Sequence, residues 1–303
     1  MATLTAAPTL APNAAAASGA RASYRMVDLG TLGGDSSFAS AMNDRGDVVG
    51  RAQAAGGTWR GFLWHHGRMT DLGAFTPTDV NDRGQVVGYP DDGSGGYVWD
   101  HGVLRPLGPS ARPVAINDRG QVVGQTDAGP ILWTNGRARP LPLSDVSDVN
   151  EHGQVSGGVF MPPDGYHATR WHSGRVTDLG AGPFNRSNTY ALNDHGWVIG
   201  WQFSADQFPR GILWRRGRAL DVGTLGGSYT ELRAINNHGE ILAISQASDR
   251  SARPALWRRG VLHDLSVAGI STYGEVVDLD DRGRIAASIR TDSGARAVTY
   301  HPR

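Results

Sequence analysis

The sequence has no cysteine and no lysine. Without cysteine there is no disulfide framework, no thiolate metal site and no thiol nucleophile. Without lysine there is no Schiff-base chemistry, no pyridoxal-phosphate linkage and no phosphate loop of the Walker type. All 29 basic residues other than histidine are arginine, and 29 acidic residues balance them. A formal charge of zero gives no reason to expect nucleic acid or an anionic membrane as a partner. Long apolar runs are missing too; none approaches the roughly 18 residues of a spanning helix. Residues 1–22, rich in Ala, Pro and Thr, lack the basic start and solid apolar stretch of a secretion signal. They are expected to form a flexible tail ahead of a single domain at 23–303.

What is abundant is glycine, 42 of 303 residues, and it recurs with a period. The stretch Ala115-Ile116-Asn117-Asp118-Arg119-Gly120-Gln121-Val122-Val123-Gly124 is one copy of a unit that returns seven times. The copies centre on Asn43, Asn81, Asn117, Asn150, Asn193, Asn236 and, as a variant, Asp280, each with a glycine three residues later. Two short β-branched runs joined by a tight polar turn make a β-hairpin. Asn and Asp bond the turn amides, and Gly takes the left-handed position without strain. A calcium loop is the rival reading, but one or two carboxylates per turn are too few for that ion.

Two further elements share the period. One strand ends in an aromatic residue: Trp64, Trp99, Trp133, Trp171, Trp214, Trp257 and Tyr300. Another ends in Asp-Leu-Gly or a relative of it, first at 24–30 and last at 262–266. Four short strands per unit, with successive Asn spacings of 38, 36, 33, 43, 43 and 44, predict an all-β, seven-bladed propeller of four-stranded antiparallel blades. The chain begins on a fourth-type strand and ends on a third-type one. The two termini are therefore expected to complete one blade together and hide its edge. The aromatic strand ends should pack between blades. Asp79, Asp148 and Asp278 replace the Ala found two residues before the Asn in other units, and are placed along the central channel. They hold a cation or water there, or cap their own backbone.

The combination of Ile-Asn-Asp-Arg-Gly-Gln-Val-Val-Gly, a Phe-Leu-Trp strand and Asp-Leu-Gly-Thr-Leu-Gly-Gly (28–34, nearly repeated at 221–227) resembles the bacterial HAF repeat family over residues 24–303. The resemblance implies a propeller and usually an extracellular setting; it implies no defined activity and supplies no catalytic residues. The absent export signal leans towards the cytoplasm, the family habit towards secretion.

Function must then be argued from a site. The connections between units, and those from second to third strand, share one face and vary most, which is where binding is expected. Aromatics concentrate in the longer connections: Trp59, Phe160, Tyr166, Phe184, Tyr190, Trp201, Phe203, Phe208, Tyr229 and Tyr273. With Arg186, Arg210, Arg233 and Glu275 they suggest a pocket for a small organic ligand or sugar at the channel mouth. The position after the second strand's closing glycine reads Arg51, Tyr89, Gln125, Gly158 and Trp201, and Arg112 belongs to the same rim. No zinc-helix motif and no nucleophile elbow is present, and no cofactor or metal is expected. His152, His195 and His238 occupy a turn position and read as surface. His167 is placed in the longest irregular loop of the mouth. Acid–base chemistry by His167, Tyr190 and Glu231, of lyase, isomerase or cyclase type, is what the inventory allows. A carbohydrate-binding or cell-surface module and a protein-interaction scaffold are the alternatives, and a monomer is expected.

Overall fold

A computed structural model describes residues 23–163, 165–203, 208–270 and 274–303. The predicted tail at 1–22 and Tyr273 lie outside the described residues. Seven four-stranded antiparallel sheets follow one another along the chain. In blades 1 to 6 the strands run outward in chain order, so the first strand of each unit is innermost. The innermost strands are Gly33–Met42, Phe75–Val80, Arg112–Ile116, Asp145–Val149, Ser187–Leu192, Gly226–Ile235 and Gly274–Leu279. Blade 7 takes its outermost strand from the other end of the chain. Tyr24–Asp28 pairs antiparallel with Gly294–Pro302, Met26 opposite Tyr300. The buried Leu29 continues this closure, its amide 3.0 Å from the Ala297 carbonyl.

The Asn-Asp-x-Gly units form the hairpin turns between first and second strands, with Gly46 at φ 86° and a bond from its amide to the Asn43 carbonyl. The asparagines also do something that no single turn requires. Each is almost fully buried, and its Nδ2 donates to the backbone carbonyl of the corresponding Asn in the next blade. Asn43 donates to Asn81 at 2.8 Å, and so on round the ring until Asn236 donates to Asp280 at 3.1 Å. Asp280 has no amide with which to continue. Arg284 takes over: it pairs with the Asp280 carboxylate, and its Nη2 donates to the Asp44 carbonyl at 2.8 Å. A second ring runs parallel to the first. The residue after each Asn (Asp82, Asp118, Glu151, Asp194, Asn237, Asp281) donates its amide to the side chain of its counterpart in the next blade, or for Asp281 to Asp44. The turn is legible in a single repeat; neither interblade relay is.

Every innermost strand also carries a register shift three residues before its Asn or Asp, leaving Ser40, Thr78, Val114, Ser147, Tyr190, Arg233 and Val277 as the extra residues. Such bulges bend a strand and re-aim its side chains. The aromatic strand ends pack as expected at Trp133, Trp171, Trp214, Trp257 and Tyr300, all buried; Trp64 and Trp99 are only half-buried.

The channel carboxylates have a structural role. Asp148 accepts from the amides of Val149 (2.7 Å) and Leu192 (2.9 Å), the latter in the next blade. Asp79 bridges Val80 and Ile116 in the same way, and Asp278 bridges Leu279 and Met42. Each side chain therefore caps its own strand and staples two blades. Among the described residues no group of three or more His, Asp or Glu has the geometry to hold a metal ion.

Candidate functional site

The propeller has two unlike faces. The hairpin turns and the third-to-fourth-strand turns share one, here the turn face. The blade-to-blade connections and the second-to-third-strand connections share the other, the loop face.

On the loop face the innermost strands of blades 5, 6 and 7 bring four of the predicted residues together. Arg233 Nη1 lies 3.1 Å from Glu231 Oε1, and its Nη2 lies 3.3 Å from Glu275 Oε1 in the neighbouring blade. Tyr190, the bulge residue of blade 5, is within electrostatic reach of both Glu231 and Arg233. Burial, and then the Glu231 charge, raise its phenol above the ordinary value, so it is protonated at neutral pH and acts as a hydrogen-bond donor. These side chains remain accessible: Tyr190 is 36% exposed and the Glu231 side chain 43%. Because an innermost strand borders the channel, exposed side chains on it face the channel mouth. Two glutamates around one guanidinium give the cluster a net charge of −1, which disfavours anions and suits hydroxyl donors.

The remaining predicted residues are spread around the rim. In blade 1, Arg51 is spent in an ion pair with Asp91 (2.8 Å), and Trp59 packs against Phe38 with ring centroids 5.6 Å apart. Tyr89 is exposed in blade 2. Arg112 faces Gln125 across blade 3, and Gln125 donates to the Ser144 carbonyl at 3.3 Å. In blade 5, Trp201 meets Phe203 edge-on at 5.4 Å and Arg186 lies 5.8 Å above Phe203. Arg210 pairs with Gln202 in the same blade, and Tyr229 belongs to the innermost strand of blade 6. Phe160, Phe184 and Phe208 are exposed. Tyr166 is held back from solvent, its phenol pushed up by burial and by a hydrogen bond to Asp145. Its ring fills the space beside Gly158, where a Cβ would collide with it. That glycine reflects packing within the blade, not variation at a binding surface.

Two expectations need correcting. His167 is not in a loop. It lies in the third strand of blade 4, Gly165–His172, with Nδ1 3.0 Å from Asp178 Oδ2 of the outermost strand. It stands three strands out from the channel, apart from Tyr190 and Glu231. Likewise Arg51, Tyr89, Gln125 and Trp201 are strand residues, because the second strands run past their motif glycines.

The central cavity opens at the opposite end. It measures about 250 Å³ and is lined on the turn face by the Asn ring and its acidic neighbours; of the predicted residues only Asp148 reaches it. Burial, with help from Asp281, Asp82 and Asp280, raises Asp44 to about 6. Burial first, with Asp278 and Asp194 adding to it, raises Asp148 to about 7. Burial raises Asp278 to about 6 and Asp79 well above its usual range.

Comparisons with known proteins add the fold and no more. No family model and no curated protein matches the sequence. Among solved structures, the β-propeller domain of the trilobed protease from Pyrococcus furiosus aligns with a TM-score of 0.61 at 9% identity, over 88% of this chain and 94% of that one. Streptogramin B lyase aligns at 0.55 and 9% identity, over 92% of this chain and 98% of that one. The WD40 propeller domain of Doa1 aligns at 0.53 and 13%, over 90% and 96%. The Pyrococcus domain is described as having an open velcro topology; in this chain the ring is closed by Tyr24–Asp28.

Proposed function

We propose that the loop face binds a small hydroxylated organic ligand, a sugar or a molecule of similar chemistry, at the channel mouth over blades 5 to 7. The observation that carries this reading is the convergence of Tyr190, Glu231, Arg233 and Glu275 from three successive innermost strands. Their carboxylates accept from ligand hydroxyls, and the Arg233 fork and the protonated Tyr190 phenol donate. The half-buried Trp201–Phe203 pair at the rim offers an apolar surface for a ring face. The HAF-type repeat resemblance would place such a module outside the cell.

A second reading, acid–base catalysis, is favoured by one electrostatic pairing. The Tyr190 phenol, held protonated, is within electrostatic reach of the Glu231 carboxylate, a donor and an acceptor on adjacent blades. The chemistry would need no cofactor, and His167 has no part in it. Calorimetric titration against panels of neutral saccharides and small metabolites tests the binding reading. Arg233→Ala should weaken an identified ligand about tenfold or more while the melting temperature stays near that of the wild type. A ligand that binds the variant equally well would move the site elsewhere.

A further inference from the structure

The turn face carries a second cavity that none of the preceding chemistry uses. It is a cleft of about 720 Å³ between blades 3 and 4, within the range of small-ligand pockets. Its lining includes Arg119, Arg137, Arg139, His152 and His172, and no carboxylate. Glu151 is within electrostatic reach of Arg119 but belongs to the central cavity instead. Among the described residues none of the three arginines is within ion-pair distance of an acid. Arg60, Arg253 and Arg258, by contrast, are each paired with an acid.

The repeat shows why charge accumulates here. Four residues after the Asn, blade 1 has Asp47 and blade 6 has Glu240; these pair with His65 and Arg258. Directly after the third-strand Trp, blade 2 has Asp100, which pairs with His101 and Arg105. Blade 3 has Gln121 and Thr134 at the same two positions and blade 4 has Gln154 and His172, so neither blade flanking the cleft offers its arginines an acid there. The groove also stays open. At three other junctions a large side chain fills it: Arg170 packs over Gly196, Trp197 over Gly239 and Arg284 over Gly46. Gly153 at this junction meets only the Gln121 amide, and Leu132 forms part of the lining.

One guanidinium is already set in place. Arg139 lies 5.0 Å from the centroid of the Trp171 ring in blade 4, and its Nη2 approaches Gly174 of that blade's outer turn. A stacked guanidinium keeps its N–H fork free for an oxyanion while losing rotamer freedom in advance.

We propose that this cleft is an anion site, distinct from the loop-face site, for a ligand carrying two or more phosphate or sulfate groups. Three arginine forks match oxyanions in pairs, and the volume exceeds what a single phosphate would fill. Trp171 is 3% exposed and lies under Arg139, so it offers no platform for a nucleobase; recognition rests on the oxyanions.

Calorimetric titration with tripolyphosphate at low ionic strength tests this, with ATP and a polysulfated disaccharide as parallel arms that separate the possible sources. Tripolyphosphate should bind, with affinity falling as salt is added, and ATP should bind no more tightly. Arg137→Glu with Arg139→Glu should weaken binding about tenfold or more. The control pair Arg216→Glu with Arg218→Glu, exposed on the equivalent turn of blade 5, should leave it unchanged. If charge reversal lowers the melting temperature, Arg137→Gln with Arg139→Gln gives the same reading. Absence of binding by tripolyphosphate and the sulfated sugar alike, equal losses in both pairs, or a strong preference for ATP would each overturn the assignment.

Discussion

Blade 7 is a natural double substitution of the repeat, and it can be transplanted. Asn117 is 4% exposed, and its side chain makes four hydrogen bonds. It accepts from the amides of Arg119 (3.1 Å) and Gln121 (2.9 Å), and donates to the Gln121 side chain (2.9 Å) and to the Asn150 carbonyl in the next blade (2.8 Å). Asn117→Asp keeps both acceptors and loses both donors, and it sets a carboxylate oxygen against the Asn150 carbonyl. Losing a buried bond and leaving polar atoms opposed costs about 1–3 kcal/mol, and burying the charge adds to it. A total near 3 kcal/mol is a large share of a stability of about 5–15 kcal/mol. Blade 7 avoids this cost because Arg284, four residues after Asp280, neutralises the carboxylate and carries the interblade bond itself. Adding Gln121→Arg to Asn117→Asp should therefore recover much of the loss, with a coupling of about 1–2 kcal/mol in a double-mutant cycle. Urea unfolding at pH 8, followed by circular dichroism, measures each corner. If Asn117→Asp alone lies within about 0.5 kcal/mol of the wild type, or the double variant is no more stable than the single, the amide relay does not hold the blades together.

Removing residues 24–30 takes away the outermost strand of blade 7 and the buried Leu29, whose burial alone is worth about 1.5–3 kcal/mol. The melting temperature should fall by roughly 5 °C or more, and an unchanged value would refute the closure. Asp148 and Asp278 titrate at about 7 and about 6 when folded, against about 3.9 in an unfolded chain. Between those limits the folded state holds protons that the unfolded chain has released, so stability falls as pH rises from 4 to 7. The protein should melt at a higher temperature at pH 5 than at pH 8, and Asp148→Asn should shrink that difference. His301, held below its usual value chiefly by burial, opposes the trend near pH 6, so the wild-type-minus-variant difference is the decisive quantity. Tyr190→Phe should reduce loop-face ligand affinity severalfold, since it removes one hydroxyl donor and little packing. Equal affinities would detach that tyrosine from the site.

The fold was legible because the repeat writes it seven times, and the closure followed from counting strand types at the two ends. What stayed hidden involves relations between blades or within a strand's register. The Asn117-to-Asn150 bond is invisible in a single unit, where Asn already has a sufficient reason to be in a turn. The bulge at Tyr190 and Arg233 leaves the Asn-to-Gly spacing intact, so no periodicity betrays it. In the sequence the motif glycine reads as the end of a strand, which puts His167 and Trp201 in connections; pairing with longer neighbours carries those strands onward. The turn-face cleft escaped notice because His152 and Arg119 each read as an ordinary solvated turn residue. Only their assembly across two blades, with Gln121 and Thr134 where blades 1, 2 and 6 carry an acid at one position or the other, brings them into one cleft. Tyr190, Glu231, Arg233 and Glu275 stand out in the sequence as polar or aromatic residues of long connections; in the structure they lie on the innermost strands of three successive blades.

The loop-face site is tested most directly by the small molecules the protein retains. Purified wild type and an Arg233→Ala/Tyr190→Phe double variant are incubated with the same metabolite and glycan extract, washed, and analysed by mass spectrometry alongside the supernatants. The account predicts a hydroxylated organic compound enriched on the wild type and lost from the double variant; conversion of one compound to another by the wild type alone would extend the reading to acid–base catalysis. Equal retention of every compound by both proteins, with both folded, would contradict it.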